Sequence, residues 1–183
     1  CWGVQMATVA AGGEVKANPR KREMGIGRNL KLTAKGAKHP FMAGKPQVFS
    51  GFESHLDEVT RIPRGAVLLA TNDFTQVQAL AITHKKGTFW ALQYHPEYNL
   101  HEMGRLIVAR APKLIPEGFF TGQEDMLAYV ARLEELHQNP GRKDLRWQLG
   151  IGDDIINDDL RQVEFANWIK MAVLPPRRRV KSR

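Results

Sequence analysis

Three residues of this 183-residue chain have side chains that together could perform nucleophilic catalysis: Cys1, His95 and Glu97. A cysteine thiol becomes a strong nucleophile when a base removes its proton, and that base needs a further group that fixes its tautomer and stabilises its protonated form. Cys1 supplies the nucleophile, His95 the base and Glu97 the orienting carboxylate. Pro96 stiffens the backbone between the last two and favours a carboxylate beside the imidazole. The trio predicts a cysteine-dependent catalytic mechanism.

The residues after Cys1 favour such a reaction. Residues 2–11 have the composition of a helix that Gly12 and Gly13 end. Backbone N–H groups at a helix N-terminus lower the pKa of a nearby thiol and can bind an oxyanion. We therefore predict the N–H of Trp2 as an oxyanion donor. Gln5, about one turn further along, is predicted to offer its amide to a polar substrate.

A predicted hairpin positions the base. Residues 77–83 and 88–94 are rich in β-forming residues, and the intervening sequence His-Lys-Lys-Gly is typical of a hairpin turn. His95 then stands where the second strand ends. Pro112 is predicted to end the helical segment 103–111. The other predicted elements are strands 47–52 and 66–70 and helical segments 103–111, 124–137 and 154–173.

Composition excludes several classes of protein. Hydrophobic residues make up 43% and charged residues 25%, which is ordinary for a globular protein. No apolar run approaches the roughly 20 residues that span a bilayer. The single cysteine excludes an internal disulfide and a cysteine-based zinc cluster, and it favours a reducing, cytoplasmic location. Five of the positive charges lie in residues 177–183, so without them the net charge falls from +8 to 8 − 5 = +3.

Three short motifs together resemble the class I glutamine amidotransferases. Residues 1–5 (Cys-Trp-Gly-Val-Gln) are similar to the Cys-x-Gly-x-Gln elbow of that family, and residues 94–97 (Tyr-His-Pro-Glu) to its His-Pro-Glu signature. Between them, residues 54–59 (Ser-His-Leu-Asp-Glu-Val) resemble the Ser-His-x-Asp-x-Val segment. The motifs occur in family order over about residues 1–110, and the pattern is most similar to stand-alone, GMP-synthase-like members.

The resemblance implies a fold and a reaction. The fold is α/β, a doubly wound three-layer α/β/α domain of the flavodoxin-like kind. The reaction is hydrolysis of the glutamine side-chain amide through a γ-glutamyl thioester on Cys1, with His95 as base and Glu97 as its orienting group. Gln5, Ser54 and His55 help to hold glutamine. The released ammonia passes to an acceptor, so a synthetase is an expected partner, and no cofactor or metal is expected.

We predict three parts along the chain: residues 1–116 as the later part of the amidotransferase domain, 117–176 as a helical extension and 177–183 as a disordered basic tail. In the resembled family, several central parallel strands precede the cysteine. Without them the sheet would expose apolar faces and unpaired edges. The expectation is therefore a piece of a longer protein, lacking its N-terminal strands and weakly active or inactive alone.

Three alternatives stay open from the sequence. The same trio could hydrolyse γ-glutamyl peptides or conjugates, with water as acceptor. The chain could be a non-catalytic remnant that acts as a binding partner. Cys1 could also be an N-terminal nucleophile with its own amino group as base, as in class II amidotransferases, although these do not need a His-Pro-Glu signature. The helical extension could mediate homo-oligomer formation. Membrane binding and specific nucleic-acid binding are not expected.

Overall fold

A computed structural model of the protein describes residues 1–174. Its strands are β1 (Glu14–Ala17), β2 (Glu23–Leu32), β3 (Val48–His55), β4 (Asp57–Arg61), β5 (Val67–Thr71), β6 (Ala79–His84) and β7 (Gly87–Leu92). Its α-helices are α1 (Trp2–Ala10), α2 (Leu100–Leu114), α3 (Gln123–Gln138), α4 (Lys143–Leu149), α5 (Asp153–Ile156), α6 (Asp158–Arg161) and α7 (Val163–Trp168). The predicted basic tail, 177–183, lies outside the described residues.

Five of these strands form one curled sheet in the order β3-β2-β5-β6-β7, and β1 pairs with β4 in a separate two-stranded ribbon. Every strand pair within residues 1–174 is antiparallel. The predicted hairpin is confirmed as β6–β7, with His84 opposite Gly87 and Lys85 at a positive φ of 54° in the turn. The mixed α/β class predicted from the sequence is confirmed, and the strands described here form an antiparallel part of it.

Helices cover the sheet through separate apolar cores. Phe52 of β3 is fully buried against Met103 and Ile107 of α2 and Leu133 of α3. Burying a side chain of this size stabilises the fold by about 1.5–3 kcal/mol. This core joins β3 to α3 of the predicted extension, and α3 packs chiefly on α2. The boundary at residue 116 stays a prediction.

Helix α1 packs on the hairpin strands. Val4 is fully buried against Leu80 and Ala91 of β6 and β7. The opposite side of the helix carries an exposed apolar stripe, Trp2, Met6 and Val9. The packing of α1 places its N-terminus, and therefore Cys1, beside the end of β7.

The prediction that Pro112 ends α2 is wrong. The helix continues to Leu114 with Pro112 inside it. A proline near the C-terminal end of a helix removes only one backbone hydrogen bond, and Leu114 is fully buried in the core with α3. Burial of Leu114 therefore stabilises the last part of the helix. At the other end, Asn99 and Glu102 form a capping box, which fixes the helix start.

The predicted helical stretch 154–173 is broken into the short helices α5, α6 and α7 and a π-helical turn, Ile169–Val173. Asn157 causes one of these breaks, because its side chain accepts a hydrogen bond from the N–H of Asp159 and starts a new helix. Helix α4 was not predicted; it ends at Gly150, which has a positive φ of 60°. In residues 1–174 no helix combines the length and apolar character needed to cross a membrane.

Candidate active site

Two parts of the chain carry the predicted catalytic residues. Cys1 is the N-cap of α1 and is half-buried. His95 and Glu97 lie in the segment that joins β7 to α2, and the backbone N–H of His95 donates to the carbonyl of Phe52 in β3 (2.8 Å). This bond ties the histidine to the sheet rather than leaving it on a free loop.

The imidazole of His95 is oriented on two sides. Its Nδ1 lies 2.6 Å from Oε1 of Glu97, and its ring stacks on Tyr98 with a centroid distance of 4.4 Å. Because a carboxylate only accepts, Nδ1 carries the proton of this bond. Nε2 is buried and has no hydrogen-bond partner within residues 1–174. A buried nitrogen with a free lone pair is suited to accept a proton from a thiol.

Glu97 is held as a carboxylate. Burial alone would raise the pKa of Glu97, but the hydrogen bond from His95, a backbone hydrogen bond and the nearby positive charges together outweigh it, and the pKa lies below its ordinary value. The group is therefore ionised at neutral pH and can stabilise an imidazolium next to it.

Cys1 and Glu97 line one cavity of about 460 Å³ that runs along strand β7. The rest of its wall is mostly apolar. Its aromatic residues are Phe41, Phe89, Trp90, Tyr94, Phe165 and Trp168. The last two belong to α7, so the helical extension reaches the cavity that holds the candidate nucleophile.

The predicted oxyanion donor is in a suitable backbone position. Trp2 is the first residue of α1, and the N–H groups of a first helical turn have no acceptor within their own helix. The indole side chain is 72% exposed and makes no part of the core. An oxyanion role for the Trp2 N–H stays a prediction.

Gln5 occupies an internal position. The side chain is buried, and its Nε2 donates to the backbone carbonyl of Asp57 (3.1 Å) and lies 3.5 Å from Oε1 of Gln93. The amide group therefore links α1 to the start of β4. The predicted contact between Gln5 and a substrate stays a prediction, and the contacts present are structural.

Ser54 and His55 also make internal contacts. The hydroxyl of Ser54 accepts a hydrogen bond from Arg110 of α2. His55 is buried, and its Nδ1–H donates to the same Asp57 carbonyl that Gln5 uses (3.0 Å). The side chains of Ser54 and His55 do not line the cavity of Cys1. Their predicted role in holding glutamine stays a prediction.

A family model and several known proteins match this chain. The family described as Glutamine amidotransferase class-I matches residues 1–112.

The chain belongs to the class I glutamine amidotransferase family.

One relative of this amidotransferase chain is the γ-glutamyl-L-1-hydroxyisopropylamide hydrolase of a Pseudomonas species. The two are 32% identical over 98% of this chain and 61% of the relative. A glutamine-hydrolysing GMP synthase subunit of Methanocaldococcus jannaschii is 31% identical over 59% of this chain and 54% of that protein. The chain thus spans less than two thirds of the length of these curated relatives.

The crystal structure of a glutamine amidotransferase from Thermotoga maritima has the same fold. It superposes with a TM-score of 0.58 over 90% of this chain and 60% of that protein, at 21% identity. The superposition confirms the predicted fold of class I amidotransferases. The family assignment also removes the class II interpretation of Cys1, because class II enzymes form a different family and fold.

Beneath the site, the amidotransferase chain holds a buried charged cluster made of Glu23, Glu53 and His55. Nε2 of His55 lies 3.1 Å from Glu23 and 3.2 Å from Glu53. Glu23 also accepts hydrogen bonds from Asn72, Thr75 and Gln78. The three groups are close enough to hold a metal ion, but these donors already use the oxygens of Glu23. A protonated His55 therefore fits the two carboxylates better than a metal ion would, because its positive charge lies beside both of them.

Charge and burial oppose one another in this cluster. Burial alone would lower the pKa of His55, but its hydrogen bond with Glu23 and the adjacent carboxylate of Glu53 raise it to about 9. Burial raises the pKa of Glu53 to about 7, against the opposite effect of His55. His55 is therefore charged at neutral pH.

We expect the protein to lose stability as the pH rises. The folded state holds a proton on His55 that the unfolded chain releases above about pH 6.5, so the stabilisation is complete below that pH and is lost through about pH 9. Glu53 acts in the same direction between pH 4.5 and about 7. The loss in unfolding free energy should be about 3 kcal/mol for each of the two groups. Thermal unfolding at a series of pH values measures it.

A matched pair of histidine variants tests whether His55 causes this pH dependence of stability. His55→Gln should be less stable and should lose most of the pH dependence above about pH 6.5. His101→Gln is the control, because His101 is half-exposed and pairs with Glu134 at the surface. A His55→Gln protein that keeps the full pH dependence would show that other groups cause it.

Proposed function

We propose that this chain carries the nucleophile, base and orienting carboxylate of an enzyme that hydrolyses γ-glutamyl amide bonds. The observation that supports this most directly is the 2.6 Å bond between His95 and Glu97. The bond leaves the second imidazole nitrogen unpartnered within residues 1–174, in a segment whose Glu97 shares a cavity with Cys1.

The proposed mechanism has two halves. In the first, Nε2 of His95 accepts the thiol proton of Cys1, and the thiolate attacks the amide carbon of the substrate side chain. The oxyanion receives a hydrogen bond from the N–H of Trp2. As the carbon–nitrogen bond breaks, His95 gives its proton to the leaving nitrogen, and a γ-glutamyl thioester remains on Cys1.

In the second half, His95 acts on water. It removes a proton as the water oxygen attacks the thioester carbonyl, and the carbon–sulfur bond breaks. The thiolate regains its proton from His95, and glutamate is released. Glu97 stabilises the imidazolium in both halves. Because the reaction needs a reduced thiol, we place the protein in a reducing compartment such as the cytoplasm.

Glutamine is the first candidate substrate. Its hydrolysis would release ammonia for an acceptor, and the Methanocaldococcus jannaschii relative, which is named as one subunit of a GMP synthase, supports a separate synthetase chain as the partner that uses it. The amidotransferase family assignment covers residues 1–112, which contain all three proposed catalytic residues.

An N-substituted γ-glutamyl amide is the second candidate. The relative that acts on γ-glutamyl-L-1-hydroxyisopropylamide is 32% identical over 98% of this chain, including the helical extension. The aromatic wall of the cavity also suits an amine that carries a small apolar group.

Substrate profiling separates the two candidates. We expect the intact protein to hydrolyse glutamine or a γ-glutamyl alkylamide and to be inactive on isoglutamine, in which the amide is at the α-carboxyl group. The ratio of kcat/KM for the two γ-amides identifies the better substrate. Hydrolysis of isoglutamine at a similar rate, or no hydrolysis of either γ-amide, would contradict the proposal and favour a non-catalytic partner.

A further inference from the structure

Two buried residues of the helical extension hold the segment that carries His95 and Glu97. The first is Arg161, at the end of α6, which is only 4% exposed. Its Nε donates to the carbonyl of Pro96 (3.1 Å), the residue between the histidine and the glutamate. The other guanidinium nitrogens donate to the Ile155 carbonyl and to Asp158, both at 2.7 Å. Three acceptors in different directions fix the plane of the guanidinium.

The second residue is Glu164 of α7, which is completely buried. Its Oε1 accepts a hydrogen bond from the hydroxyl of Tyr94, the residue before His95. The same oxygen lies 2.8 Å from Nζ of Lys45. Lys45 also donates to the backbone carbonyls of Leu160 and Arg161, so it ties α6 and α7 to the sheet domain.

These contacts fix the catalytic segment from both sides. Tyr94 and Pro96 are the immediate neighbours of His95, and each is bonded to a different residue of the extension. The carbonyl of Pro96 belongs to the peptide unit that leads into Glu97. A shift of this carbonyl therefore moves Glu97 relative to the imidazole. The bond from Arg161 sets the direction of that peptide unit.

We propose that Arg161 and Glu164 are positioning residues that hold the His95–Glu97 pair in its reactive orientation. This inference rests on the catalytic role proposed above for that pair. Both residues lie outside residues 1–112, the part that matches the family model. The helical extension then positions catalytic residues of the active site, in addition to packing on the sheet.

The size of the expected effect follows from geometry. A displacement of about 1 Å in a catalytic group can lower a rate by about a hundredfold. Arg161→Lys keeps the positive charge but loses the planar fork, so one ammonium group cannot reach all three acceptors. We expect kcat to fall by about tenfold or more while KM changes by less than about threefold.

A second readout does not depend on the identity of the substrate. When His95 takes the proton of Cys1, the thiol reacts with iodoacetamide at lower pH than a free cysteine, whose pKa is about 8.5. Arg161→Lys should move the pH profile of Cys1 alkylation towards that of a free thiol. Peptide mass spectrometry of the intact protein reports alkylation at Cys1 itself.

Asn167→Ala is the matched control. Asn167 is also in α7 and docks it on the sheet domain through the carbonyls of Phe41 and Ala43, without touching residues 94–97. It should lower thermal stability and leave both kcat and the alkylation profile unchanged. Tyr94→Phe is a milder test of the second contact, because it removes one hydroxyl and leaves Glu164 paired with Lys45. It should lower kcat with little change in KM.

The outcomes separate this inference from the proposed function. Loss of kcat and a shifted alkylation profile in Arg161→Lys and Tyr94→Phe, but not in Asn167→Ala, support the positioning role. The positioning role is overturned if Asn167→Ala loses as much kcat as the other two variants. It is also overturned if Arg161→Lys and Tyr94→Phe behave like the wild type. If the wild type hydrolyses no γ-glutamyl amide but Arg161→Lys and Tyr94→Phe shift the alkylation profile and Asn167→Ala does not, the proposed substrate is wrong and the positioning role stands. If Arg161→Lys does not fold, Tyr94→Phe decides.

Discussion

Replacing Cys1 with alanine is expected to lower kcat for γ-glutamyl amide hydrolysis by about four orders of magnitude or more. The reason is chemical, because without the sulfur no thioester can form and the other groups have no nucleophile to activate. The fold should be little affected, since Cys1 is half-buried at the start of α1 and is not among the buried apolar core residues. Steady-state kinetics with the better γ-amide measures the loss.

Cys1→Ser is the matched variant. Serine keeps the shape of the side chain, but its hydroxyl is a much weaker acid than a thiol at the same position. It should bind substrate with a similar KM and turn over far more slowly. Mass spectrometry after rapid quenching should find a γ-glutamyl adduct on the wild-type Cys1 peptide and none on Cys1→Ala. An alanine variant with wild-type turnover would remove Cys1 from the mechanism.

Sequence reasoning identified the elements that carry short-range signals. The turn sequence between β6 and β7 specified a hairpin, and the periodic apolar residues of 124–137 specified α3, observed as Gln123–Gln138. These features depend on residues that are neighbours along the chain. The bond between His95 and Glu97 is of the same kind, because only Pro96 separates the two residues.

The internal contacts of Gln5 and His55 could not be predicted in this way. Gln5 donates to the carbonyl of Asp57, which is 52 residues away in sequence, and Nε2 of His55 is paired with Glu23, which is 32 residues away. The choice between a substrate and an internal acceptor depends on the fold. Local pattern therefore identified these residues as unusual but did not identify their partners.

The contacts of the helical extension with residues 94–96 could not be predicted from the sequence. In the sequence, Arg161 and Glu164 resemble ordinary charged residues on a helical stretch, where exposed charges are the rule. Their burial follows from the break at Asn157, which turns α6 and α7 back onto residues 94–96. A buried arginine or glutamate needs several bonding partners to offset the loss of water, and only the folded chain shows these partners.

Glu97→Gln is expected to lower kcat by about two to four orders of magnitude. Glutamine has nearly the same shape as glutamate but carries no negative charge to stabilise the imidazolium of His95. Its amide group can also donate to Nδ1 instead of accepting from it. In that arrangement the proton of His95 sits on Nε2, which can then no longer take a proton from Cys1.

Glu102→Gln is the control for this change. Glu102 lies five residues further along and closes the capping box of α2 with Asn99. Glutamine keeps an acceptor for the Asn99 N–H, so the replacement should cost at most about 1 kcal/mol of stability, through the charge lost near the helix N-terminus, and leave kcat unchanged. The pH profile of kcat then separates two explanations of a slow Glu97→Gln enzyme. If Glu97 stabilises the imidazolium, the active pH range should move as well as the maximum rate. If Glu97 serves only to place the imidazole ring, the maximum kcat should fall and the active pH range should stay the same. Cys1 and His95 would then act as a pair that needs no negative charge beside it.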